Sequence, residues 1–230
     1  MSENQETKKK EERLELWIAI FLGITALLTA WATWIGSLHG GNQATNYAKS
    51  NNLSAEGNSM YNEAAQNYMQ DMLLWNQIME YEFDYQLAMD RGDDNEAKLI
   101  EDKIQILKDD NCTEEFREAV DWSYKQDGLP SPFTKEGYTD SYYTAALEKL
   151  DEAQAVLEEG QNDNRNGDRY GLVTVIFSLV LFLLGIVGIF KKLPNRVLVF
   201  GISVVFLIGA TIFMCTIPMP TGFSFFGYFS

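Results

Sequence analysis

Residues 172–190, LVTVIFSLVLFLLGIVGIF, are followed by KKLPNR at 191–196 and by VLVFGISVVFLIGATIFMCTI at 197–217. The two apolar runs carry no charged residue, and each approaches the roughly 20 residues that a helix needs to cross a hydrocarbon core. Between them sits a loop of three cations and no acid, in a chain whose formal net charge is -15. A third uncharged run, Leu16 to Gly36, lies near the other end. Backbone polar groups cannot be left unpaired in lipid, so all three runs are expected to be helices. The reading is an all-α membrane protein with spans at 16–36, 171–190 and 197–217.

Charge sorts the rest. Residues 1–15 hold four basic and five acidic side chains, 37–170 hold 11 and 28, and 191–196 contribute +3. Lys and Arg close to span ends are retained in the cytoplasm, whereas acids count little. Lys8, Lys9, Lys10 and Arg13, together with Lys191, Lys192 and Arg196, therefore predict a cytoplasmic tail at 1–15 and a cytoplasmic loop at 191–196. The acidic segment 37–170 and the aromatic tail 218–230 are expected outside, and the membrane is expected to be the plasma membrane. Ala30-Trp31-Ala32 resembles a signal-peptide cleavage site, but the apolar run before it is longer than such a peptide carries, so an uncleaved anchor is expected.

The first span carries a stripe of small residues at alternating steps of four and three: Ala19, Gly23, Ala26, Ala30, Thr33, Ser37, Gly40 and Ala44. In lipid, small residues let helix backbones approach closely. The stripe is expected either to pack on the other spans or a second copy, or to line a pore. Helical spacing continues beyond it. Tyr61, Ala65, Tyr68, Met72, Trp75 and Met79 form one seam, and Leu74, Ile78, Tyr81 and Tyr85 another. Gly92 is expected to end this helix and Thr113 to cap a later one. Ala97, Ile100, Ile104 and Leu107, then Phe116, Val120 and Tyr124, mark two more buried faces. Gly128-Leu129-Pro130-Ser131-Pro132 forces a loop. Tyr143, Ala146, Leu150, Ala153 and Leu157 define a last helix, with a joint expected at the Asn- and Gly-rich 160–168. The inserted domain is thus an extracytoplasmic helical bundle, with Tyr68, Met72, Trp75 and Met79 as its seam.

Signals for chemistry are few. The single histidine, His39, reads as an interfacial anchor. Asn162-x-Asn164-x-Asn166-Gly167 begins like a calcium loop, but Val173 stands where a bidentate Glu is needed. No catalytic, cofactor or metal residues are assigned, and the charge of the central segment disfavours nucleic acid.

The stretch GGNQATNYAKSNNLSAEGNSMYNEAAQNY at 40–68, the KKLPNR loop, and the glycine and phenylalanine after the third span resemble a bacterial family defined as domain of unknown function 4337. Its members look like one span, a helical segment rich in Ala, Asn and Tyr, and a closing pair of spans around a short basic loop. Pro130 to Tyr143 has no clear counterpart. The resemblance implies architecture and no activity. The expected function is an oligomeric membrane protein, embedded in lipid, whose helical ectodomain serves assembly or binds a membrane or extracytoplasmic protein, without catalysis. The alternative is a homo-oligomeric ion channel whose acidic domain forms a cation-attracting vestibule.

Overall fold

The computed structural model of the chain describes residues 2–191, 195–225 and 227, with side chains from residue 8 onward. It is all helical among the described residues. The α-helices are α1 (Ser2–Arg91), α2 (Asp94–Asp110), α3 (Glu114–Tyr124), α4 (Tyr138–Ile189) and α5 (Arg196–Thr216), with a 3-10 turn at Pro132–Thr134. Three of them, α1, α4 and α5, contain windows long and apolar enough to cross a membrane, with mean hydropathies of 2.0, 2.9 and 2.7.

The chain divides into two compact units, one of Met1–Lys49 with Ala155–Ser230 and one of Ser50–Gln154. The second unit is narrower than the acidic segment 37–170, because residues flanking the spans belong with them. The joint expected at 160–168 is absent, and α4 runs through it. Gly160 within it, like Gly36 on α1, is a close-approach point instead. A Cβ on Gly160 would lie 2.7 Å from the Tyr47 ring, and one on Gly36 would lie 3.2 Å from Tyr170 Cβ. Glycine is needed at both because α1 and α4 nearly touch there.

In the first unit, α4 buries Val156, Gly160, Asp163, Tyr170, Val173, Phe177, Val180, Leu184 and Val187. With the half-buried Gly167, these steps of three and four describe a heptad seam. The α5 helix answers with Ser203, Leu207, Ala210, Met214 and then Ile217, and α1 with Ile18, Thr25, Ala32, Ile35 and His39. Lipid supplies no hydrophobic drive between such helices, so interdigitation and dispersion hold the seam. Polar side chains in the spans are satisfied locally. Thr25, Thr29, Thr33, Thr174, Ser178, Ser203 and Thr211 each donate to the carbonyl four residues back, and Thr216 to that of Phe213.

The second unit has a core of Trp75, Ile78 and Ala88 from α1, Ala97, Ile100 and Ile104 from α2, Phe116, Ala119 and Val120 from α3, and Tyr138. Each large aliphatic or aromatic side chain buried there stabilises the unit by about 1.5–3 kcal/mol. Gly92, at φ +73°, ends α1 as expected. Asp93 then caps α2 by accepting from Glu96 N at 3.0 Å, and Thr113 caps α3 by accepting from Phe116 N at 3.2 Å. Tyr124 departs from its expected burial. It is exposed, with its hydroxyl on Glu82 and the Lys108 ammonium 4.9 Å from its ring centroid.

Candidate functional site

The stripe on α1 is not the face that packs within the chain. Ala19, Gly23, Ala26, Ala30, Thr33 and Ser37 are all exposed, as are Gly40 and Ala44. No atom lies within 4 Å of a Cβ built on Gly23. The buried register runs one residue earlier, through Ile18, Thr25, Ala32 and His39, and one residue is a 100° turn of a helix. Both registers share the same spacing, and bulk decides between them: Ile18 and Ile35 fill the groove formed by α4 and α5, which small residues alone would leave partly empty.

Where this buried register leaves the apolar part of α1 it becomes polar. His39 is 1 % exposed and Asp163 6 %. His39 Nδ1 lies 2.7 Å from Asp163 Oδ1, and His39 Nε2 lies 3.1 Å from the Pro218 carbonyl oxygen just past α5. Asn46 donates to Asp163 Oδ2 at 3.4 Å. The Tyr170 ring stacks on the imidazole with centroids 5.8 Å apart. The segment after α5 is held on both sides of this node: Asn42 donates to the Thr221 carbonyl at 3.2 Å, and Phe223 and Phe225 pack on Trp31 and Trp34. His39 is thus a buried bridge rather than an interfacial anchor. Asp163 drew no notice in the sequence, although its place in the three-four spacing of α4 marks it as seam-facing.

At the other end of the same unit the basic residues meet. Lys191 Nζ lies 2.8 Å from Glu15 Oε1 and holds that carboxyl below its ordinary range. The segment before the first span and the loop after the second therefore share one end of the unit. Lys8, Lys9, Lys10 and Arg13 are exposed there. Arg196 is buried, and its Nε donates to the Val187 carbonyl at 2.8 Å, capping the C-terminal turn of α4. Its Nη2 has no hydrogen-bond partner among the described residues. Lys192 lies outside the described residues.

In the second unit, Trp75 is buried and Tyr68 and Met79 are partly so, but Met72 is 37 % exposed. The seam passes instead through Asp71, again one residue earlier. Asp71 is 3 % exposed, and its Oδ2 accepts from Tyr138 at 2.7 Å and from Tyr142. Burial first, and then these bonds to Asp71, push the Tyr142 phenol up to about 12. Beside them opens a cavity of about 370 Å³ that includes Glu63, Asn67 and Glu115. Both cysteines are free, and burial pushes the Cys112 thiol up to about 11, so it is a thiol and not a nucleophilic thiolate at neutral pH. Among the described residues, no three His, Cys, Asp or Glu side chains converge to hold a metal ion.

No protein-family model, curated protein or solved structure matches this chain. Its chemistry has to be read from the residues themselves.

Proposed function

We propose that this chain is an oligomeric integral membrane protein of the plasma membrane, with no catalysis of its own, whose acidic helical unit lies outside the cell and serves assembly or partner binding. The kinship with family 4337 belongs to the same proposal and brings no residue role with it. The observation that carries the oligomer is the exposed stripe from Ala19 to Ala44. Within one chain α1 meets α4 and α5 through its other register, so the face best shaped for close helix approach is left for another helix. Orientation rests on the exposed Lys8, Lys9, Lys10 and Arg13 beside Lys191, since cations near span ends stay in the cytoplasm.

The hydroxyl of Thr33 is committed to the carbonyl of Thr29 at 2.8 Å. The absence of any charged side chain along 16–36 is what favours a packing face over an ion path. The test is disulfide trapping of the full chain in a background with both native cysteines replaced by Ser. Ala26→Cys is expected to form a covalent dimer under mild oxidation, while Val175→Cys, on an exposed face of α4, is not. A monomeric particle in detergent and in nanodiscs, with no trapping at Ala26, overturns the proposal. Cation flux in liposomes that Ala26→Trp abolishes, with assembly intact, would make the stripe a pore wall.

A further inference from the structure

In the second unit α1 has two sides. One buries Asp71, Trp75, Ile78 and Ala88. The other, half a turn away, faces water with Met69, Leu73, Phe83 and Leu87, of which Leu73 and Phe83 are each 65 % exposed. Positions 69, 73, 76, 80, 83 and 87 step by four and three, so these side chains stand in one row along the helix, with Asn76 and Glu80 at its waist. At 1.5 Å per residue the row is about 27 Å long. Large apolar side chains set in water at helical spacing, opposite a face that is already buried, mark a surface that another element covers.

Charge around the row has one sign. Between Ser50 and Asp90 the chain holds no Lys, Arg or His. Glu80 and Asp84 are exposed on the row and beside it, and no ion pair among the described residues engages either of them. An anionic lipid surface is repelled by such a rim. A second copy inserted the same way would set Glu80 against Glu80, and would join two units that each hold 24 acidic and 8 basic side chains over 50–154. A helix that carries apolar side chains at three-four spacing and cations beside them satisfies both the row and its rim. We infer that the outward face of α1 from Met69 to Leu87 is a docking surface for a basic amphipathic helix of a partner protein.

The row supplies two anchor points, each one helical turn long. Met69 and Leu73 make the first, Phe83 and Leu87 the second, and Met72 beside the first adds an unbranched side chain that adapts to an incoming surface. Glu80 lies between the anchors, where a docked helix would shield it from water and a Lys or Arg would answer it. The apolar pairs supply affinity, and the carboxylates select the sign of the partner. The surface gives the partner-binding part of the proposed function a place and a chemistry, and rests on that reading only in taking 50–154 to lie in water.

The test uses the full chain in nanodiscs of zwitterionic phosphatidylcholine, with empty nanodiscs as the blank. One labelled helical peptide of about 20 residues, long enough to cover the row, carries Leu at three-four spacing and Lys elsewhere. A second carries Glu in place of Lys. The Lys peptide is expected to bind and the Glu peptide is not. Phe83→Gln should weaken binding about tenfold. Glu80→Gln with Asp84→Asn should also weaken it and flatten its fall with added salt. Leu147→Gln, exposed on α4 in the same unit, should leave it unchanged. All these positions are exposed, and circular dichroism checks that each variant keeps its helix content. Equal affinity of every variant, equal binding of both peptides, or no binding at all overturns the proposal. So does disulfide trapping of a Phe83→Cys dimer with both native cysteines replaced by Ser, since a second copy would then cover the face. Trapping at Ala26 is read separately, so either reading can fail while the other stands.

Discussion

Asp163 and Asp71 are both buried carboxylates on helix seams, yet they are partnered differently. Asp163 faces the His39 ring, which it shares with a backbone carbonyl. Asp71 faces two phenols, both of which donate to its Oδ2. One carboxylate thus joins α1, α4 and the segment past α5 through an imidazole, and the other joins α1 to the start of α4 through hydroxyls alone.

The sharpest way to break this contrast is to remove the carboxylate that two donors share. Asp163→Ala strands the His39 ring and the Asn46 amide, and should destabilise the protein by about 1–3 kcal/mol for each group left without its partner, read in denaturant titration. The apolar pair His39→Met with Asp163→Leu should recover much of that loss, because the buried polar pair is then replaced as a whole. Equal losses in the single and double variants would show that the pair acts by packing alone.

Asp71→Ala should cost less, about 1–3 kcal/mol, since the half-buried Tyr142 hydroxyl can turn to water. The phenols add a pH response of their own. The Tyr142 phenol is raised to about 12, while an unfolded tyrosine ionises near about 10. The folded form therefore holds its proton longer. This contribution to stability is complete below about pH 10 and declines as pH rises through the folded value. Phenolate absorbance from the intact second unit at pH 10 that includes Tyr142 would contradict the geometry around Asp71.

The smallest effects come from the glycines and test register alone. Gly160→Ala brings a Cβ to within 2.7 Å of the Tyr47 ring, and should cost about 1–3 kcal/mol by overpacking. Gly23→Ala meets nothing within 4 Å and should stabilise α1 by about 0.5–1 kcal/mol, as alanine does in a helix interior. Loss of stability at Gly23 in a monomeric preparation would mean that the stripe faces α4 or α5 after all.

The three apolar helices, the Gly92 turn, the Thr113 cap and the core positions Ile100, Ile104, Phe116 and Val120 were legible in the sequence because each rests on local chemistry or on periodicity. Register was not. Ala19 and Ile18, or Met72 and Asp71, are neighbours on series of identical spacing, and only the shape of the partner helix chooses between them. Small residues marked the series that stays exposed within one chain in the first case, and an apolar bias hid a buried aspartate in the second. The joint expected at 160–168 failed for a related reason: glycine signals a break or a close approach, and Tyr47, more than 100 positions away, decides which. His39 could be seen but not paired, since Asp163 and Pro218 lie 124 and 179 positions from it.

Arg196 has a consequence for how the hairpin of α4 and α5 is made. With the loop on the cytoplasmic side, as proposed above, its guanidinium would be one of three cations that resist translocation of the turn during insertion. In the folded chain that charge is withdrawn to the last turn of α4, where Nε meets Val187. Under that topology one side chain serves first as a brake and then as a clasp.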